Sequence, residues 1–240
     1  MEIENDVWVV HGVSADDPRC IHSVRELIDC VNELGFLPYF RNEIKGFSLE
    51  ERTVASDWWS GDLLNDPWEW REQAARSGEV AYGKFFNKKA GFISLEWFPI
   101  FANYRRDGYD FDSLYEDGKA RFRSKKIMDL YESGDRFFSC ELKREAGFGK
   151  DGEKNFGGIL TELQMQTYLV ACDFQHRKNK RGEPYGMKVA IYTPPERMWG
   201  YDMVSSAYRE RPQASFQKLF DRVKTLHPEA DDQQIKKLLK

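Results

Sequence analysis

The chain has 240 residues, of which 41% are apolar and 32% charged, with a formal net charge of −4. This is the composition of a globular protein with enough apolar material for one large domain or two small ones. No apolar run approaches the roughly 18 residues of a transmembrane helix, so no membrane partner is expected. The opening MEIENDVWVVHG lacks the basic and apolar regions of a secretion signal, which predicts a cytoplasmic protein.

Charge and cysteine placement narrow the function classes further. Residues 1–118 carry a net charge of −11, residues 119–190 carry +5 and residues 191–240 carry +2. A basic middle segment beside an acidic first half is typical of a localised phosphate-binding face. The four cysteines, Cys20, Cys30, Cys140 and Cys172, form no C-x-x-C pair. Reduced thiols are therefore expected, with no metal site and no cofactor.

Apolar spacing and capping signals predict the elements of the first half. A helix over residues 18–34 ends at Gly35, and residues 36–40 form a short extended segment in which Pro38 favours an edge. A capping box opens a second helix over 48–59, and an Asp-Pro start opens a third over 66–78. Residues 80–86 and 91–93 form a hairpin around 87–90. A helix over 94–106, bent at Pro99, and a loop or short helix over 110–118 follow.

The second half is predicted to repeat this series of helices followed by a hairpin. Helices are predicted over 121–131, 139–146 and 155–166, followed by a hairpin from 168–174 and 185–192. Tail helices are predicted over 202–209 and 214–226 and after residue 231. Helix, short strand, helices and hairpin are the parts of a winged-helix domain. The predicted fold is therefore α+β, with tandem winged-helix modules at 1–106 and 121–200, a connection at 107–120 and a helical tail at 201–240.

The tip of the second hairpin is the strongest candidate binding feature. Arg177, Lys178, Lys180 and Arg181 place four positive charges within five residues, where they could replace counterions on phosphates. An ordinary solvated turn is the alternative.

The first hairpin carries a weaker version of this signal. The remaining predicted nucleic-acid-binding residues are Lys84, Lys88 and Lys89 of that hairpin and Thr161, which points away from the apolar face of the 155–166 helix.

A Gln-Met-Gln run lies where this helix meets the next strand. On an extended backbone Gln164 and Gln166 would share one side with Tyr168, where two amides could orient a water or hold a base edge. The alternative is that both amides satisfy backbone groups at the helix end. Trp58, Trp59, Trp68 and Trp70 could support a displaced base, with core packing expected for at least half of them.

Several longer runs carry a family resemblance. These are GFLPYFRNEIKGFSLEERT, DWWSGDLLNDPWEWR, AYGKFFNKKAGFIS, NFGGILTELQMQTYL and YGMKVAIYTPPERMWG. With them the chain resembles a bacterial group described as AlkZ-related, which is linked to the AlkZ/YcaQ winged-helix DNA glycosylases. Those enzymes use a Gln-x-Gln or Gln-x-Asp motif near the N-terminus. Gln164-Met165-Gln166 fits the pattern but lies late in the chain.

The resemblance implies a DNA-binding protein that recognises or excises alkylated bases, with DNA as the partner. Gln164 and Gln166 would then position water for hydrolysis of an N-glycosidic bond. Two other classes stay open: a non-enzymatic transcriptional regulator that binds duplex DNA as a dimer, and a protein-interaction module that does not bind DNA. The sequence contains no G-x-S-x-G, Walker or H-E-x-x-H motif for another chemistry. The oligomeric state is left open.

Overall fold

The computed structural model describes residues 2–4 and 7–240 and has a mixed helix and antiparallel-sheet fold, which confirms the predicted α+β class. The helices are α1 (Val24–Leu34), α2 (Pro67–Ser77), α3 (Phe98–Arg106), α4 (Phe111–Glu116), α5 (Phe122–Met128), α6 (Ser139–Glu145), α7 (Phe156–Met165), α8 (Pro195–Trp199), α9 (Tyr201–Val204), α10 (Pro212–Leu226) and α11 (Asp232–Leu239). The strands are β1 (Glu2–Glu4), β2 (Val7–Val9), β3 (Phe36–Pro38), β4 (Val80–Phe86), β5 (Lys89–Ser94), β6 (Phe137–Phe138), β7 (Val170–Lys178) and β8 (Pro184–Thr193). Strands β1 and β2 pair only with each other.

The two predicted hairpins join in one antiparallel sheet. Its strand order is β3-β5-β4-β7-β8-β6, so the hairpin β4–β5 meets the hairpin β7–β8 at the centre. Tyr82 of β4 pairs with Ala171 of β7 there. Because these two strands are antiparallel, the hairpin tips lie at opposite ends of the sheet. Counting strand residues from the central pair, the tips are roughly 45 Å apart.

Both halves contain a helix, a short strand, then one or two helices, and a hairpin. In the first half these are α1, β3, α2 and β4–β5, and in the second α5, β6, α6, α7 and β7–β8. The short strand pairs with the second hairpin strand in each case, as β3 with β5 and β6 with β8. Equivalent strands therefore form the two edges of the sheet, and Pro38 lies on an edge as predicted.

Local signals set several element ends as expected. The Asp66 carboxylate accepts from the N–H of Trp68 at the start of α2, and Pro67 occupies the first turn. The tip of the first hairpin is shorter than the predicted 87–90, since β5 begins at Lys89 and the turn is Asn87-Lys88, with φ of 48° and 65°. Two successive positive φ values are those of a type I′ turn, whose twist matches that of paired strands.

The helix predicted over residues 48–59 is wrong. The capping contact forms, since Ser48 Oγ lies 2.7 Å from Glu51 Oε2 and accepts from the Glu51 N–H. Only two 3₁₀ turns follow, Glu50–Arg52 and Ala55–Asp57. Between them Thr53 is extended, with φ −136° and ψ 160°. Its hydroxyl accepts from Trp58 Nε1 at 2.9 Å. This tertiary bond holds the break in place.

Three other helix boundaries differ from the prediction. Helix α1 begins at Val24 because Ser23 accepts from the Glu26 N–H and caps it there. Helix α3 begins at Phe98, so Pro99 lies in its first turn and bends nothing. Helix α9 ends at Val204, where the Ser205 hydroxyl donates to the Tyr201 carbonyl at 2.8 Å, a local bond that competes with helix continuation. The short strand β6 and the pair β1–β2 were not predicted.

The core is rich in phenylalanine. Phe36 of β3 is fully buried and has Phe47, Phe86 and Phe101 within 6 Å, centroid to centroid. Such ring pairs stabilise a core beyond their buried area.

The tail packs against the first half of its own chain. Helix α10 lies along α3, where Asn103 Nδ2 donates to Ser215 Oγ at 2.9 Å and both residues are fully buried. Arg222 Nε donates to the Leu34 carbonyl at 3.0 Å. The tail therefore packs on α3 and on the C-terminal end of α1.

Candidate functional site

The tip of the second hairpin presents its four cations to solvent. Arg177, Lys178, Lys180 and Arg181 are all exposed. Among the described residues, none of the four forms an ion pair with a carboxylate. The Arg177 guanidinium lies over the Tyr185 ring at 4.9 Å, which orients it without neutralising it. The four charges are therefore available to an external anion.

Asn179 holds the tip in a defined shape. Its Oδ1 accepts from the N–H groups of Arg181 (2.8 Å) and Glu183 (3.1 Å), and its Nδ2 donates to Glu183 Oε2 at 2.9 Å. The only carboxylate of the turn, Glu183, is thus bonded to an amide and not to the cations. Because side chain and backbone bonds organise the turn, the positive side chains are splayed outward.

Two apolar side chains extend the tip surface along β8. Tyr185 is 44% exposed and Met187 is 86% exposed. The sequence analysis missed both as surface residues. Their period-two spacing on a strand was the available signal, but it does not tell the solvent face from the buried one.

The first hairpin packs on the C-terminal half of α7. The backbone N–H of Lys84 donates to Gln164 Oε1 at 3.1 Å, and Lys84 Nζ lies 3.5 Å from Thr161 Oγ1. The backbone N–H of Lys88 lies 3.2 Å from the Met165 sulfur. Four of the predicted site residues therefore meet on the side of the central strand pair that faces away from the basic tip.

Lys89 lies on the other side of the same hairpin. It lines a cavity of about 130 Å³ between β3, the first hairpin tip and α11, together with Phe40, Phe86 and Lys237. A Glu43–Lys237 ion pair forms part of the wall. Lys89 therefore does not share a surface with Gln164.

The prediction that Thr161 points to solvent is wrong. Its side chain is 9% exposed because the first hairpin covers that side of α7. Helical projection separates faces within one helix but cannot show that a distant hairpin packs on the polar one. The next residue, Glu162, is partly buried and pairs with Arg121 at 3.3 Å.

Gln164 and Gln166 occupy different surroundings. Gln164 is 2% exposed, and besides accepting from Lys84 its Nε2 donates to the Leu160 carbonyl at 3.1 Å. It thus satisfies backbone groups, the structural alternative that the sequence left open. Gln166 is the C-cap of α7 with φ −79° and ψ 3°, so the backbone there is not extended. Its partly buried side chain lines a shallow cleft with Tyr104, Arg105, Met165 and Lys240.

The base of the second hairpin packs on α2 in the same manner. Lys188 Nζ lies 2.9 Å from Glu69 Oε2 and 2.6 Å from Glu72 Oε2. Arg76 pairs with Asp173 at 2.8 Å. The helix that precedes each hairpin therefore contacts the hairpin of the other half. Neither α2 nor α7 has its polar side free to enter a major groove.

As expected, half of the four tryptophans considered above are buried in the core. Trp58 and Trp70 are buried, at 5% and 1% exposure, whereas Trp59 is 44% exposed. Trp59 begins a loop that also exposes Leu63 (59%) and Leu64 (76%). No group of three or more metal-ligand side chains occurs in residues 9–240, where side chains are described.

Fold and site together define an α+β protein with a central antiparallel sheet and a projecting basic hairpin. A family model described as AlkZ related matches residues 21–240, and the chain therefore belongs to the AlkZ-related family. No curated protein and no solved structure matches the chain. Within the described residues, no helix is long and apolar enough to cross a membrane.

Proposed function

We propose that this protein binds duplex DNA through the tip of its second hairpin. One observation carries the proposal: four exposed cations at the end of a projecting β-ribbon have no carboxylate partner within the described chain. Lysine and arginine so placed release counterions from phosphates, which supplies most of the non-specific affinity for DNA. The exposed Tyr185 and Met187 beside them would contact sugar or base edges in a groove.

The architecture that we propose is tandem winged helix, with modules at 1–106 and 121–200, the connection at 107–120 and the tail at 201–240. It is supported by the repeated series of a helix, a short strand, one or two helices and a hairpin, and by the pairing of each short strand with the second hairpin strand. In this proposal β7–β8 is the wing that reaches DNA. Because α2 and α7 are covered by hairpins, DNA contact proceeds through the wing and not through a helix in the major groove.

The role that we propose is recognition of alkylated DNA, in keeping with the family description. The finer proposal is hydrolysis of the N-glycosidic bond of an alkylated, cationic nucleotide. Such a leaving group requires little acid assistance, so an amide that positions water beside an oxocarbenium-like centre could serve. Gln166 is the predicted catalytic amide with an open side, since it lines a cleft. Gln164, buried beneath the first hairpin, would act by holding α7 in place.

Affinity for short duplexes, intact and alkylated, measured across a salt series, tests this proposal. Steep loss of affinity with salt is expected for the native protein. Changing Arg177, Lys178, Lys180 and Arg181 to glutamine should reduce the log–log salt slope by about 0.9 for each phosphate that is no longer neutralised. A matched control changes four exposed cations elsewhere: Lys45, Lys143, Arg209 and Lys236. If both quadruple variants lose affinity equally, net charge and not the wing explains binding.

Base release from the alkylated duplex tests the enzymatic part. Gln166→Ala should abolish release while leaving duplex affinity within about twofold of the native protein. A native protein that binds but releases no base would remove the catalytic proposal and leave recognition alone.

A specific observation also favours an interaction module as the second candidate. The loop bearing Trp59, Leu63 and Leu64 is held rigidly, since Asp66 accepts from the N–H groups of Trp59 (3.1 Å) and Gly61 (3.0 Å). Exposed apolar side chains on a rigid loop are typical of a protein-docking surface. Absence of DNA binding at moderate salt would favour this candidate.

A further inference from the structure

Arg105 carries a positive charge that its surroundings do not balance. Its Nη2 donates to the carbonyls of Phe85 and Leu239, and its guanidinium lies over the Phe101 ring at 4.9 Å. Its Nε and Nη1 are shielded from solvent, and neither has a hydrogen-bond partner in the described chain. Burial lowers the pKa of this guanidinium to about 10. At neutral pH the group is nevertheless charged.

The adjacent arginine shows how this fold otherwise treats a buried cation. Arg106 pairs with Glu196, and its other nitrogens donate to the Thr167 carbonyl and hydroxyl. Buried charges are normally paired in this way, because an unpaired one forfeits its hydration. Arg105 has carbonyl contacts but no ion pair with any described residue.

A cleft that could admit such an anion lies against Arg105. It has a volume of about 260 Å³ and is lined by Tyr104, Arg105, Met165, Gln166 and Lys240. None of these side chains is a carboxylate. The lining instead offers two cations, an amide and a phenol, which are the donors that bind oxyanions.

We propose that this cleft binds a tetrahedral oxyanion of the phosphate class, with Arg105 supplying the charge and Gln166 and Tyr104 supplying hydrogen bonds. The anion would engage the unused N–H groups of Arg105 after displacing the side chains that cover them. This site is remote from the basic tip of the second hairpin and does not depend on it. Its ligand is either free phosphate or a phosphodiester of a nucleic-acid strand.

The experiment monitors the Nε–H signal of Arg105 by NMR and thermal unfolding in parallel. Potassium phosphate is titrated against potassium chloride at matched ionic strength. In a second arm the dinucleotide dTpdT replaces inorganic phosphate. Saturable movement of the Arg105 signal together with a rise in Tm is expected, since a ligand that binds only the native state raises its stability. Response to dTpdT with little response to inorganic phosphate would identify a nucleic-acid strand as the source.

Variants separate this site from other anion effects. Arg105→Met should weaken phosphate binding by about tenfold or more, since a charge-assisted hydrogen bond contributes about 1.5 kcal/mol or more. Gln166→Ala should weaken it several-fold with Arg105 intact, which covers the case in which Arg105→Met does not fold. The quadruple glutamine variant of the second hairpin tip should bind phosphate like the native protein while losing DNA.

The proposal is overturned if the Arg105 signal does not move in either titration. It is also overturned if Gln166→Ala binds phosphate as tightly as the native protein. Loss of phosphate binding in the hairpin-tip variant would relocate the anion site to that tip. A protein that binds phosphate at Arg105 but ignores duplex DNA would retain this inference while removing the proposed function.

Discussion

The backbone N–H of Lys84 donates a hydrogen bond to Gln164 Oε1 at 3.1 Å, across 80 residues of sequence. This bond joins the first hairpin to the helix of the second half that precedes the other hairpin. Gln164 also bonds the Leu160 carbonyl, so one buried amide satisfies a strand and a helix together. The bond lies close to the central strand pair β4–β7 and reinforces the joint between the halves.

Gln164→Ala should therefore destabilise the protein by about 1–3 kcal/mol, since a buried amide is removed and the Lys84 N–H is left without its acceptor. The free energy of unfolding from urea titration measures the loss. Gln166→Ala is the matched control, because its side chain is partly exposed and makes no hydrogen bond of this kind. The control should stay within about 0.5 kcal/mol of the native protein. Equal losses in the two variants would contradict a structural role peculiar to Gln164.

Gly35 should tolerate no side chain. It closes α1 with φ +90°, and a Cβ there would lie 2.8 Å from the Trp97 ring. Gly35→Ala should destabilise by about 2 kcal/mol or more, from left-handed backbone cost and the clash combined. Gly118→Ala separates these two causes, since Gly118 has φ +71° but no atom within 4 Å of its Cβ. Gly118→Ala should cost only about 1 kcal/mol. A Gly35 variant no less stable than the Gly118 variant would show that Trp97 moves aside.

Sequence reasoning succeeded where the cause of structure is local. Two examples are the N-cap of α2 at Asp66 and the end of α1 at Gly35, which depend on residues within one or two turns. It failed for the 48–59 helix, where the local capping contact forms but the bond from Trp58 to Thr53 stabilises an extended break. Tertiary bonds of this kind leave no periodic signal.

The candidate site likewise contains features that the sequence predicts and features that depend on tertiary packing. The sequence alone predicts the cluster of positive charges formed by Arg177, Lys178, Lys180 and Arg181. Their exposure follows from their position in a turn. The burial of Thr161 and Gln164 depends on β4 pairing with β7, a contact between strands about 90 residues apart in the chain that no local pattern encodes. Nothing in the sequence distinguishes Arg105 from its neighbour Arg106. Only the packing of β4 and α11 around Arg105 shows that its guanidinium contacts main-chain carbonyls.

Asp173 should make stability depend on pH in the acidic range. Burial alone would raise the pKa of its carboxyl, but hydrogen bonds from Gln175, Arg76 and the Phe174 N–H outweigh burial and lower that pKa. A lowered native pKa contributes stability above the unfolded value near 3.8, and this stability is lost as pH falls below it. Asp173→Asn should therefore flatten the decline in stability below about pH 4, measured by urea titration at each pH. The exposed Asp151→Asn serves as control, and an identical effect of both changes would contradict the prediction.

His227 should govern a second pH dependence, closer to neutrality. Its ring is 8% exposed and packs against Phe47 with centroids 4.8 Å apart, where the tail meets the first half. Burial lowers the pKa of this imidazole, while Glu229, at 3.3 Å from Nδ1, acts in the opposite direction and Arg52 adds to the lowering. Because the native pKa lies below the unfolded value of about 6.5, the unfolded state takes up the proton first. Stability is thus fully present above about pH 6.5 and declines as pH falls through the native pKa.

His227→Gln should reduce the slope of unfolding free energy between about pH 7 and pH 5, whereas the exposed His22→Gln should leave it unchanged. A wild-type slope retained in His227→Gln would show that protonation of this ring is not what loosens the tail.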